Sequence, residues 1–488
     1  MKTENQQTGD MPAEEFRRYG HKLIDWIADY LQFTNEVPVL PDMTPGTIKS
    51  MLPGNPPEEG ENMEAILADV DKIIMPGMTH WNHPRFMAYF NSTGSGPGIL
   101  AELLSGAFNI NGMLWKSCPS ATELEQVMID WFRQLVGLPD NYWGIIYEGG
   151  SSSTMHAIAA ARENLENLDF RTKGMSGRPD TGKIRLYMSE QAHSSVEKGA
   201  LMLGVGLENI CKIPVDKDFR MNSEALKNAI ADDRRKGFIP FCVVATVGTT
   251  STTSIDPVDK IADICESEKI WLHVDAAHAG IAAIVPEMRF ILNGCQRADS
   301  ILINPHKWMF VPIDLSVFFT RNPGVLKKAF SITPEYLKTP EGTSVTNYMD
   351  YGITLGRRFR SLKLWFVIRY FGRSGLIARI REHLRLGNRF AGWIKEHPEF
   401  ELAAPVPLST VCFRAVPAKI SSEQLNSFNE KLLWNINSTG KVFLTHTKLN
   451  DKFIIRLVIS GIRTTETDVR EVWSLLKMKM EKLKKDFN

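Results

Sequence analysis

With 488 residues, 43% of them hydrophobic and 23% charged, the chain is long enough to bury a large core and to divide into more than one domain. Its 57 basic and 56 acidic residues leave a net charge of +1, which supplies no long-range field for nucleic acid or an anionic membrane and points to a small-molecule partner. The six cysteines (Cys118, Cys211, Cys242, Cys265, Cys295, Cys412) include no CxxC pair, the N-terminus has no apolar signal region and no apolar stretch is of bilayer length, so disulfides, a metal cluster and a membrane span are not expected and the expected location is the cytoplasm.

In residues 1–85, Phe16, Tyr19, Leu23, Ile24, Ile27 and Leu31 recur at three- and four-residue intervals, which predicts a helix with one apolar face. The proline-rich "PVLPDMTPG" and "LPGNPPEEGEN" interrupt it. Such an arm needs a surface to lie on. Residues 86–360 carry short apolar runs, "WGIIY", "KIRLYM", "FCVVATV", "IWLHVD" and "DSILIN", separated by helix-length stretches. Uniformly apolar runs in that rhythm predict strands buried on both faces of a mostly parallel sheet, an α/β domain. Residues 361–488 mix longer helices with the alternating "STVCFRAV" and "KFIIRLVIS", predicting a smaller α+β domain. The lysine-rich end reads as the solvated face of a last helix.

Ligands of an open parallel sheet bind beyond the carboxyl ends of its strands. Polar residues follow each predicted strand here: Glu148, Gly149, Gly150 and Ser151; His193, beside a capping box of Ser194 and Glu197; Thr246; Asp275 with "AAHAG"; and Asn304, Pro305, His306 and Lys307. The glycine and serine cluster suits a phosphate at a helix N-terminus, and a tight turn with an N-cap competes as its explanation.

An acid at Asp275 and an amine at Lys307, each ending an apolar strand, are costly unless each has a partner. Pyridoxal phosphate meets both demands. It offers an aldehyde for Lys307, a ring nitrogen for Asp275, a flat face for His193 and a phosphate for the turn at Gly149. The competing reading is a buried Asp275–Lys307 ion pair that serves stability alone.

The motifs "IIMPGMTHWNHPRFMAYF" (73–90), "CPSATELE" (118–125), "SEQAHSSVEK" (189–198), "IWLHVDAAHAG" (270–280), "NPHKW" (304–308) and "LGRRFRSLKLW" (355–365) occur in order. Through them the chain resembles the group II pyridoxal-phosphate decarboxylases, and closely the aromatic L-amino acid decarboxylases, from about residue 11 to its C-terminus. The resemblance implies fold type I, of the aspartate aminotransferase kind: a mostly parallel seven-stranded sheet, an N-terminal helical arm and a small α+β domain. It also implies a homodimer with the active site at the subunit interface.

By the same resemblance Lys307 carries the cofactor, Asp275 holds the pyridine nitrogen protonated, His193 stacks on the ring and Ala277 packs on its other face. Thr246 matches the residue near the ring hydroxyl, and Asn304, His306, Gly149, Gly150 and Ser151 match the phosphate anchors. Tyr336, in the Pro-, Gly-, Ser- and Thr-rich 331–347, corresponds to the loop tyrosine that donates the proton; on sequence alone an exposed tyrosine without a role explains it as well. Trp81, Tyr89, Phe90, Ser92 and Gly356 match the substrate pocket, where Gly356 leaves room for an indole or catechol. Asn111 and Met113 depart from the aliphatic and Phe side chains usual there.

The expected activity is decarboxylation of an aromatic L-amino acid such as DOPA, 5-hydroxytryptophan, tryptophan, tyrosine or phenylalanine. An aldehyde synthase, a decarboxylase of another amino acid and a catalytically inactive dimeric relative are the rivals, and the retained Tyr336 and His193 favour the amine-forming reading. A metal hydrolase built on His80 and His83 lacks further ligands. Arg357, Arg358 and Arg360 read as structural ion pairs at the base of the loop.

Overall fold

The computed structural model of the protein describes residues 9–341 and 344–487. Its large domain is built on a seven-stranded sheet of order β1-β7-β6-β5-β4-β2-β3. The strands are β1 (Trp143–Tyr147), β2 (Lys183–Ser189), β3 (Ile210–Ile213), β4 (Phe238–Thr246), β5 (Trp271–Asp275), β6 (Ser300–Ile303) and β7 (Ser316–Thr320). Neighbours pair in parallel except at β7, which is antiparallel to both β1 and β6. The five apolar runs of the sequence are β1, β2, β4, β5 and β6. Two further strands join them. β3 is a short, half-exposed edge strand, and β7 returns beside β6 with no long crossover helix between the two.

Helices cover both faces, so residues such as Val243, Val244, Leu272, Ile301 and Phe318 are fully enclosed in one core. Each such side chain contributes about 1.5–3 kcal/mol by leaving water. A second core lies around the four-stranded antiparallel sheet β10 (Thr445–Leu449), β11 (Lys452–Val458), β9 (Thr410–Ala415) and β8 (Phe400–Leu402). The helix Arg360–Glu396 joins the two cores: Leu364, Ile380 and Leu384 pack in the first, and Leu386, Phe390 and Ile394 in the second.

The N-terminal helix is Ala13–Phe33, and Tyr19 is its one buried residue. Trp26 donates to Asp71 at 2.9 Å, Lys22 reaches Glu64 at 2.8 Å and Tyr30 bonds His80 at 3.0 Å. Its apolar residues Phe16, Leu23, Ile24 and Phe33 are exposed among the described residues.

Candidate active site

The carboxyl ends of β1, β2, β4, β5 and β6 open into one cavity of about 320 Å³. All five predicted polar clusters meet there: Gly149, Gly150 and Ser151; His193; Thr246; Asp275 and Ala277; Asn304, His306 and Lys307.

Lys307 sits in the one-turn helix Pro305–Trp308, its amide bonded to the Asn304 carbonyl at 2.9 Å. Burial pushes its amine pKa down, against the pull of the Asp275 carboxylate. Asp275 ends β5 in register with Thr246 of β4, and its Oδ1 accepts from the Ala277 amide at 3.0 Å. The sheet itself therefore brings the acid and the amine to one cavity. His193 stands at the mouth, where its Nδ1 accepts from the Ser195 amide at 3.2 Å. Desolvation lowers its pKa, with Asp275 opposing that shift and Lys307 adding to it.

The predicted capping box does not form. Ser194 takes helical backbone angles, so its side chain cannot cap, and Glu197 pairs instead with Lys212 at 2.8 Å. At the helix Gly150–Glu163 no side chain caps the first turn either, which leaves its N–H groups and the positive end of its dipole facing the cavity. An anion is what such an end binds. A Cβ at Gly150 would stand 2.9 Å from Asn304 Nδ2, so a larger residue there would shift the Asn304 side chain.

Four buried polar atoms of cavity-lining residues have no partner: Thr246 Oγ1, Asn304 Oδ1 and both ring nitrogens of His278. Each unpaired buried group costs about 1–3 kcal/mol, so a ligand that bonds them recovers what folding gave up. His306 is neutral, its pKa lowered by burial to about 4, and its Nδ1 accepts from the Leu315 amide at 2.9 Å.

Phe90 also lines the cavity, with the Lys307 nitrogen 5.2 Å from its ring centre. The other predicted substrate residues lie elsewhere in the single chain. Trp81 and Tyr89 stack on each other at 5.8 Å and are exposed, and Ser92 is half-buried in the same segment. Asn111, Met113 and Gly356 form a second cluster: Asn111 Oδ1 accepts from the Arg357 amide at 2.9 Å, its Nδ2 lies 3.5 Å from Met113 Sδ, and a Cβ on Gly356 would come 3.9 Å from that Nδ2. Tyr336 is 77% exposed beside Leu337, which packs with Leu114 and Met349 and against Met113. Arg357, Arg358 and Arg360 form the expected structural pairs, with Glu125, Glu102 and Asp314 at 2.7, 2.7 and 2.9 Å.

His278, which lines the cavity, and Arg456 behind it are among the residues there that the sequence does not single out. His278, within "AAHAG", is stacked between Phe90 at 4.0 Å and Trp308 at 4.7 Å, with neither ring nitrogen bonded. Arg456 of β11 donates to the Thr250 and Ser251 carbonyls at 2.7 and 2.8 Å and lies 5.6 Å from the Phe90 ring. Its signal was a lone arginine inside the apolar "KFIIRLVIS".

Residues 45–416 match the family described as the pyridoxal-dependent decarboxylase conserved domain. This chain belongs to that family. The decarboxylase is 40% identical to mouse aromatic-L-amino-acid decarboxylase over 95% of its own length and 97% of the relative's. It is 37% identical to phenylacetaldehyde synthase of Arabidopsis thaliana over 96% of each chain. Its fold superposes on the crystal structure of Oryza sativa TDC with PLP and tryptamine at a TM-score of 0.93 and 33% identity, covering 97% of this chain and 99% of that one. It is an α/β protein of fold type I and a lyase whose cofactor is pyridoxal 5'-phosphate.

The site of this decarboxylase fits that cofactor. A deprotonation-prone amine and a carboxylate share the cavity, an uncapped helix end awaits an anion, and the Thr246 hydroxyl has no partner of its own. Among the described residues no cluster of three or more His, Cys, Asp or Glu side chains could hold a metal, and no helix is long and apolar enough to cross a membrane.

Proposed function

We propose that the protein decarboxylates an aromatic L-amino acid to its amine and carbon dioxide, as a homodimer whose two subunits complete each other's sites. The observation that carries the reading is the convergence of Lys307, Asp275, His193, Thr246 and the open helix end on one cavity. When bound, pyridoxal phosphate supplies an electrophilic aldehyde and a conjugated ring that takes up the electron pair released as carbon dioxide leaves.

The chain's residues do the rest. Lys307 offers a nucleophilic amine, because burial disfavours its charged form. With the cofactor bound, Asp275 would keep the ring nitrogen protonated, and His193, Ala277 and Thr246 would hold the ring. Gly149, Gly150 and Ser151 hold the phosphate with Asn304 and His306 beside them. Phe90 presents an aromatic wall at the amine, as an aromatic substrate requires. Tyr336 delivers the proton to the carbon that has lost its carboxylate.

Tyr336, Asn111, Met113 and Gly356 do not line the cavity of their own chain, so in this reading they serve the partner subunit's cavity. Unburied apolar surface supports the pairing. Leu100, Trp365, Phe366 and Tyr370 line an open groove, Leu103, Leu104 and Phe108 are exposed on the helix Gly96–Phe108, and Phe16, Leu23, Ile24 and Phe33 are exposed on the N-terminal arm. Six free cysteines accord with a reducing cytoplasm.

The test is amine production from the twenty amino acids plus DOPA and 5-hydroxytryptophan, with and without added cofactor. Amine from aromatic substrates alone supports the reading. Turnover confined to aliphatic or acidic substrates sinks it.

A further inference from the structure

The segment 331–347 leaves the helix Pro323–Phe330 and returns to the single turn Tyr348–Tyr351. Its two ends meet at Asp350. That buried carboxylate accepts from Ser331 Oγ at 3.0 Å and lies 3.5 Å from Thr333 Oγ1, both on the outgoing end, and Lys327 pairs with it at 3.3 Å.

The returning end is fixed from the other side. The Ile353 amide donates to His156 Nε2 at 3.2 Å, while His156 Nδ1 bonds the Ser152 carbonyl at 2.7 Å, a pairing that admits one neutral tautomer. The Tyr147 hydroxyl donates to the Tyr351 carbonyl, and Thr354 Oγ1 donates to Glu148 at 3.2 Å. Gly352 packs so closely that a Cβ would stand 3.0 Å from His156 Nε2. The foot of the segment is thus riveted to the helix whose first turn faces the cavity.

We propose that Asp350 and His156 are positioning residues: they clasp the two ends of 331–347 and so fix where Tyr336 is presented. This rests on Tyr336 being the proton donor. Both side chains are buried and neither lines the cavity of its own chain, so they act through the loop they hold. A loop held only by solvent-exposed bonds opens at almost no cost, whereas a neck closed by a buried carboxylate with a hydroxyl and a cation as partners stays shut and narrows the space its tip explores. Loosening the clasp should therefore slow proton delivery and leave binding alone.

The experiment compares holoenzyme of wild type, Asp350→Ala, Asp350→Asn, His156→Leu and the pair Ser331→Ala/Thr333→Val, beside Tyr336→Phe. Asparagine keeps an acceptor for the two hydroxyls, so Asp350→Asn is the conservative rescue. We expect proteolysis within 331–347 to quicken roughly tenfold in Asp350→Ala, His156→Leu and the hydroxyl pair, and kcat for amine to fall about tenfold at nearly constant KM. Asp350→Asn should stay within about threefold of wild type on both measures. If His156→Leu or Asp350→Ala fails to fold, the hydroxyl pair carries the test.

Unchanged cleavage in the variants overturns the clasp, and so does a change in KM alone. Intact amine formation in Tyr336→Phe instead overturns the role of Tyr336, and with it the presentation the clasp is proposed to control; the cleavage rates then still report on the clasp.

Discussion

The side-chain nitrogen of Lys307 lies 5.2 Å from the centre of the Phe90 ring, at the edge of the cavity. An aromatic face at that distance favours the charged amine by about 0.5–2 kcal/mol, as does Asp275, yet burial prevails and the pKa is lowered. The lowered pKa makes the amine easier to deprotonate, which is what attack on an aldehyde requires. We predict that Lys307→Ala abolishes the yellow, borohydride-fixable absorbance of the purified protein together with amine formation. A mutant that stays yellow and active would refute the assignment.

Asp275 and Thr246 are register partners at the ends of β5 and β4, so neither can move without the sheet. Replacing the carboxylate by an amide keeps the shape and removes the charge that holds a proton on the ring nitrogen. Asp275→Asn should keep its visible absorbance while kcat drops about a hundredfold, the scale on which a single preorganised charge acts. A wild-type rate in that mutant would show that the acid is structural.

At Gly150 the constraint is steric. Its Cβ would meet Asn304 Nδ2 at 2.9 Å, so Gly150→Ala must push Asn304 away from the phosphate turn. Cofactor affinity, measured by the quenching of tryptophan fluorescence on titration of apo protein, should weaken about tenfold, equivalent to one hydrogen bond. Unchanged affinity would separate Asn304 from cofactor binding.

Tyr336→Phe should suppress amine formation and leave cofactor absorbance intact. An oxygen electrode, applied to the wild-type enzyme, distinguishes the amine-forming reading from the aldehyde-forming one. Wild type should consume no oxygen beyond background, and steady oxygen uptake with peroxide release by wild type would favour the synthase.

The cavity was legible in the sequence because burial leaves a signature. Five apolar strands each ended in polar residues that an apolar environment penalises, and parallel strands put those ends on one side. Lys307 and Asp275 stood out by that mismatch alone. β7 was not legible, since its apolar "SVFFT" follows β6 closely and nothing local reports that it turns back antiparallel. Arg456 carried the same mismatch as Lys307 but sits in the small domain, whose approach to Phe90 no periodicity encodes. Residues on loops were the least legible in the sequence. Trp81, Tyr89, Asn111, Met113, Gly356 and Tyr336 owe their places to chain reversals that propensity does not specify, and the Ser194–Glu197 box failed because a salt bridge to Lys212 took the glutamate.

Acid should unfold this enzyme early, and the reason is its buried imidazoles. His83, His156, His273, His306 and His383 each have pKa values lowered by burial from 6.5 to about 4. At His383, Nδ1 accepts from Trp308 Nε1 at 2.9 Å and Nε2 faces the Gly461 carbonyl at 3.1 Å, so protonation breaks the Trp308 bond. Between pH 6.5 and 4 the unfolded chain binds more protons than the folded one, so stability falls as pH falls, by about 1.4 kcal/mol per pH unit for each histidine. Asp256 acts in the other direction. Burial raises its pKa to about 6, so below that pH the folded form holds its proton more tightly and gains stability down to the ordinary carboxylate range. Burial raises the Asp299 pKa as well, and two carboxyls do not offset the buried imidazoles. Denaturant unfolding at constant temperature should show stability dropping steeply from pH 6.5 to 4.5. His383→Gln, whose amide can both accept from Trp308 and donate to Gly461, should reduce that slope by about 1.4 kcal/mol per pH unit. A flat profile in wild type would mean that the imidazoles titrate in the folded protein as they do in water.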